Sequence, residues 1–170
     1  MAGSITDRMR GAAMLDVATY EEVEADTTAT GQAGTVVALA AICSAIGALG
    51  MGARGVVGSL FAQIIGWVIW SGVTYFIGTR VFKGTATWGE LLRTIGFAQA
   101  PAVLNILGII PVLGWLVYVV VAIWTLIAGI IAIRQALDFT TGKAVLTALL
   151  GWLAMVIVSA ILGVGGMVGR

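Results

Sequence analysis

From about residue 35 onward the chain consists almost entirely of long apolar runs, and no other feature restricts its fold as much. Runs from about Thr35 to Ala53, Val56 to Thr79, Leu91 to Ile110, Val112 to Ile133 and Ala144 to Val164 are separated only by short connections, polar or glycine-containing except at the apolar turn that Pro111 and Gly114 bracket. A helix rises about 1.5 Å per residue and a bilayer's hydrocarbon core is about 30 Å thick, so each run can cross it, the first only just. Hydrocarbon offers no partner to a backbone N–H or C=O, and continuous apolar runs of this length satisfy theirs as helices. The sequence therefore predicts an all-α, polytopic integral membrane bundle of five transmembrane helices. Its 60% hydrophobic and 10% charged residues contrast with roughly a quarter charged in an ordinary soluble domain.

The chain divides into two regions: a polar N-terminal arm over 1–34 and a five-span domain over 35–170. In the arm Ile5, Met9, Ala13, Val17 and Tyr20 recur at helical spacing, an amphipathic pattern that can rest on headgroups or on the bundle. Arg8 and Arg10 favour anionic lipid, whereas Asp16, Glu21, Glu22, Glu24 and Asp26 turn the rest acidic, so a packing or partner surface stands beside a lipid-facing one. Residues 1–26 lack the apolar h-region and cleavage site of a secretory signal, and the first span is expected to address the chain to its membrane.

Short loops rich in Lys and Arg stay on the cytoplasmic side. With the N-terminus inside, Arg8, Arg10, Arg80, Lys83, Arg93, Arg134 and Lys143 are inside and only Arg54 and Arg170 outside, seven against two. This predicts an N-in, C-out topology. Gly52-Ala53-Arg54-Gly55 reads as a tight turn closing a hairpin of the first two spans. Thr87 with Glu90 three residues later has the spacing of a capping box, so a helix should begin at Trp88. Thr140 or Thr141 is placed to cap the last helix, with Lys143 anchoring it at the interface.

The third run carries Gln99, Pro101 and Asn105, which hydrocarbon tolerates poorly. Pro101 lacks a backbone donor and should bend the helix. Six residues separate the two amides, which puts them on different sides of an ideal α-helix. They form either a polar pocket beside a broken helix, as in transporters, or hydrogen-bonded glue around a kink. The spans hold no central carboxylate, Lys or His to pair with a moving ion, which favours the second reading. Glu90 and Arg93 can pair at i, i+3 on the inner side.

Other chemistry is poorly supported. No histidine is present, which removes the usual axial ligand of haem and the commonest transition-metal ligand, and no cofactor is expected. Cys43, the one cysteine, lies in an apolar run and reads as a small buried residue. Asp138-Phe139-Thr140-Thr141-Gly142-Lys143-Ala144 has the glycine and lysine of a phosphate-binding loop, but Ala144 stands where Ser or Thr is needed and the leading glycine is missing. The net charge of +1 gives no field to steer nucleic acid. Glycines such as Gly47, Gly66, Gly72, Gly129, Gly151 and Gly163 permit close helix packing.

The order of features, LDVATYEEVEAD, a glycine-rich hairpin, WGELLRTIGFAQAPAVLNILGIIP, an apolar span, IRQALDFTTGKA and a last span, resembles the bacterial branch of the Yip family. Gly96 to Pro101 matches the family pattern G-[FY]-A-x-[AS]-P, and Leu137 to Ala144 its inner loop. The resemblance implies a five-span protein of the bacterial cytoplasmic membrane, in a family named for interaction with Ypt/Rab GTPases. Its eukaryotic members act in trafficking between endoplasmic reticulum and Golgi, with cytosolic N-terminal motifs that this arm does not carry. Residues and resemblance together point to a non-enzymatic scaffold, adaptor or accessory subunit, contacting lipid and associating with another membrane protein or itself through small-residue faces and residues 1–34. A small transporter or channel lined by Gln63, Gln99 and Asn105, or a lipid-handling protein, is the alternative.

Overall fold

In the computed structural model, which describes residues 3–161, every regular element is helical. Two short helices form the arm, α1 (Ile5–Ala13) and α2 (Val17–Ala25). Ser4 caps α1 by accepting from the Asp7 N–H at 3.2 Å, and Asp16 caps α2 by accepting from the Thr19 N–H at 3.1 Å. Between them Leu15 takes the left-handed φ of 62° that reverses the chain, so the arm is a folded helical hairpin rather than one amphipathic helix. Asp26 accepts from the Thr28 N–H and hydroxyl at 2.9 and 2.6 Å, a local turn that leads directly into α3 (Ala29–Gly47). The first apolar helix thus begins six residues before the apolar run itself does.

Helix α3 is the central post of the bundle. Over its apolar window 56% of residues are buried, against 6% for α4 (Gly52–Phe76), which lies at the periphery. Small residues permit this centrality: Ala33, Val36, Ala40, Ala41, Ser44 and Gly47 are all buried along α3. Chain reversal falls in a 3-10 turn, Ala48–Met51, ending at Gly52 with a φ of 74°. The expected turn at residues 52–55 is therefore displaced, because Gly52 supplies the left-handed geometry and the residues after it are already helical. Of Arg54 only the backbone is described, while Gly163, Arg170 and the end of the fifth predicted run, 162–164, lie outside the described residues.

A π turn, Ile77–Val81, closes α4. Helix α5 (Trp88–Phe97) begins where the capping box predicts: Thr87 N–H donates to Glu90 Oε2 at 2.8 Å and Glu90 N–H to Thr87 Oγ1 at 3.3 Å. Beyond Phe97 the chain bends by 41° into a 3-10 helix, Ala100–Ile109, succeeded by α6 (Gly114–Ala136) and α7 (Thr141–Ile161). Among the described residues three helical stretches, Ala29–Gly50, Val56–Val81 and Gly114–Ala136, are long and apolar enough to cross a membrane, the bent pair forms a fourth if it is one span, and Thr141–Ile157 is a shorter apolar helix. This is an all-α bundle of the polytopic membrane kind.

The arm, the 82–87 loop and the 137–140 loop meet at one end of the bundle. Thr85 Oγ1 donates to Asp138 at 2.9 Å, Phe82 and Phe139 meet edge to face with centroids 6.2 Å apart, and Lys143 Nζ lies 5.5 Å from the Phe139 ring centroid. Gly78 makes this closure possible, since a Cβ there would lie 2.5 Å from Leu137 Cδ1.

Candidate functional site

Polar side chains converge in two places: a cavity inside the bundle and the seat of the arm. The cavity arises from the bend. Pro101 occupies the first turn of the 3-10 helix, where a missing N–H costs least. A 3-10 helix has 3.0 residues per turn, so residues three apart eclipse one another. Gln99, Ala102, Asn105 and Gly108 accordingly form one line facing the bundle, and the two amides expected on different sides share a side, since six residues make two full turns. A ten-residue 3-10 run exceeds the usual three or four.

Each amide is tied to a different neighbour. Gln63 Nε2 of α4 donates to Gln99 Oε1 at 2.8 Å, and Asn105 Nδ2 donates to Ser44 Oγ of α3 at 3.1 Å. Gly47 sits against the Asn105 carbonyl, and Gly108 against the Tyr118 hydroxyl of α6. Trp67 of α4 donates its indole N–H to the Leu92 carbonyl at 2.9 Å, clamping α4 on α5. Between α4, the 3-10 helix, α6 and α7 remains a cavity of about 700 Å³, walled by Trp67, Trp70, Trp152 and Met155 and by the small Gly66, Ala102, Gly129 and Ala148. Among the described residues, none that line it is charged. Asn105 Oδ1, Tyr118 Oη and Thr125 Oγ1 are buried without a hydrogen-bond partner. Tyr118 and Thr125 carry no signal in sequence, since one hydroxyl in an apolar run is unremarkable until the bend brings it opposite Asn105.

At the other place the arm is seated. Arg93 is 5% exposed; its Nε donates to the Val23 carbonyl at 3.0 Å and its Nη2 to the Glu24 carbonyl. A guanidinium at the last carbonyls of α2 satisfies acceptors the helix cannot and complements its dipole. The expected Glu90–Arg93 pair does not form among the described residues: Glu90 is engaged by the capping box and Arg93 turns to α2. Trp124 Nε1 of α6 donates to the Ala13 carbonyl at 2.7 Å, and Gln135 Nε2 to Glu21 at 2.8 Å. Arg8, read from sequence as lipid-facing, is 2% exposed and turned inward, pairing with Glu22 at 2.9 Å and Asp26 at 2.6 Å and donating to Gln32 at 2.9 Å. Tyr20 is buried with its hydroxyl on the Ala12 carbonyl at 3.1 Å, and Ala12, Tyr20 and Val23 belong to one apolar core with Leu91, Ile95 and Ile133.

Two carboxyl groups of the arm are shifted in opposite directions. Burial, reinforced by Glu90, Asp138 and Glu21 against relief from Arg93, pushes Glu24 up to about 7. Hydrogen bonds from Thr28 and Arg8 hold Asp26 at about 2. A raised carboxyl favours the docked state fully below its free value of 4.5 and loses that contribution as pH climbs to about 7, whereas a lowered one contributes above its free value of 3.8 and loses it as pH falls towards 2. The partners of Asp26 lie in the arm and bear on the arm's own fold, so docking should follow Glu24, tightest below about pH 4.5 and loosening as pH climbs to about 7. A spin-label distance between positions 18 and 140 is expected to be narrow at about pH 5 and to broaden as pH passes about 7. Equal broadening in Glu24→Gln would remove Glu24 as the cause.

Comparison with known proteins finds no match among curated proteins or solved structures. The family model of the Yip1 domain matches residues 18–162, from the first turn of α2 through α7 and across both the cavity and the arm's seat. The chain belongs to the Yip1 domain family.

Proposed function

We propose that this membrane protein is a non-enzymatic accessory or scaffold subunit of a larger membrane assembly, crossing the bilayer five times with its arm on the cytoplasmic side of a bacterial inner membrane. The docked arm carries the proposal. A loose tether loses conformational entropy when a partner orders it, whereas this helical hairpin is already fixed by Arg93, Trp124 and Gln135 and presents a preorganised surface. Residues 3–28 hold six carboxylates against two arginines, and Asp7, Asp16, Glu21 and Glu22 are exposed. Such a surface suits a partner with a basic face.

The test is native mass. Tagged protein extracted from its own membranes in mild detergent is expected to run as a discrete species heavier than one chain with its detergent, with a second membrane-associated protein identified in it by mass spectrometry. A lone chain would overturn the reading.

A further inference from the structure

We propose that the cavity between α4, the 3-10 helix, α6 and α7 is a binding site for an uncharged lipid bearing a free hydroxyl, a diacylglycerol being the simplest. This site is independent of the scaffold role, and its ligand is defined by what the cavity lacks and what it leaves open. At about 700 Å³ it falls in the range of small-molecule sites. A Cβ added at Gly66 or Gly129 would meet nothing within 4 Å, so the missing side chains of these two lining residues leave the space open.

The polar inventory selects the ligand. Asn105 Oδ1 can only accept and has no partner, while its NH2 group donates to Ser44, so the oxygen calls for a donor on the ligand. Tyr118 Oη and Thr125 Oγ1 can donate to ester carbonyls. Seven residues apart on α6, the two hydroxyls lie two turns apart on one side of the helix, so a ligand is met by polar groups at two depths. A phosphate would be buried here with no Lys or Arg to receive it, which the uncharged lining disfavours. A wholly apolar molecule would leave three buried polar atoms unpaired. A hydroxyl on an otherwise apolar glyceride meets both conditions, with Trp67, Trp70 and Trp152 against its chains.

The indoles supply the readout. Full-length protein in phosphatidylcholine nanodiscs is titrated with brominated diacylglycerol, whose bromines quench nearby tryptophans. The expected result is saturable quenching, reversed by unlabelled diacylglycerol but not by triacylglycerol, which lacks the hydroxyl, or by phosphatidic acid, which is charged. Asn105→Leu should weaken binding about tenfold, and Tyr118→Phe should weaken it with less disturbance of packing. Gly129→Leu fills the space from a position where a side chain meets no obstacle, and should abolish binding while the bundle stays folded. Non-saturable quenching, equal competition by all three lipids, or undiminished binding in Gly129→Leu would overturn the proposal, the last two leaving a nonselective lipid groove or a cavity holding water.

Discussion

Gly47→Val is expected to lower the stability of the bundle by about 3 kcal/mol, the upper part of the range for overpacking a close-packed interior. A Cβ at Gly47 would fall 2.0 Å from the Asn105 carbonyl oxygen and 2.8 Å from the Tyr118 hydroxyl. The first obstacle is backbone, which cannot swing aside as a side chain does, so α3 and the 3-10 helix must part. Parting them strains the Asn105–Ser44 hydrogen bond and opens the apolar contact along α3. Gly31→Ala on the same helix is the control: a Cβ there meets nothing within 4 Å, and removing glycine's backbone freedom should stabilise by about 0.5 to 1 kcal/mol. Thermal unfolding in detergent measures both. Similar midpoints for the two variants would show that α3 and the 3-10 helix do not approach closely at Gly47.

Arg93→Leu is expected to release the arm while the apolar helices remain assembled, at a cost of about 2 to 4 kcal/mol for leaving two carbonyls of α2 without their donor. The loss is local because the helices of the bundle keep their own backbone hydrogen bonds and contacts whatever the arm does. Arg93→Lys should fall between, since one ammonium cannot reproduce the planar fork that reaches the Val23 and Glu24 carbonyls together. Limited trypsin digestion reports the state of the arm: Arg8 is buried and ion-paired when the arm is docked and becomes a cleavage site when it is released. Equal resistance at Arg8 in wild type and Arg93→Leu would mean that the guanidinium does not hold the arm.

Helical class, the start of α5 and the bend near Pro101 were legible because each has a local cause: uninterrupted hydrophobicity, a capping pair three residues apart, and an imide nitrogen that cannot donate. The line Gln99, Ala102, Asn105, Gly108 was present at a spacing of three but illegible under a period of 3.6, and only the conformation says which period applies. Hydrophobic periodicity gives no help there, since a helix in a bilayer is apolar on its lipid face as well as its packed one. The inward turn of two arginines was illegible for a different reason. Arg8 and Arg93 are both long basic residues near an interface, and their inward orientation depends on partners up to 70 residues away in sequence.

The docking of the arm also fixes an order of events during synthesis. Residues 3–28 leave the ribosome before the helices that hold them, since the Arg93 guanidinium, the Trp124 indole and the Gln135 amide belong to α5 and α6. Until those helices have been made and brought together, the arm has nowhere to sit. A segment made before the helices that hold it is thus among the last to find its place, and its acidic surface takes final form only on a molecule whose membrane helices are already assembled.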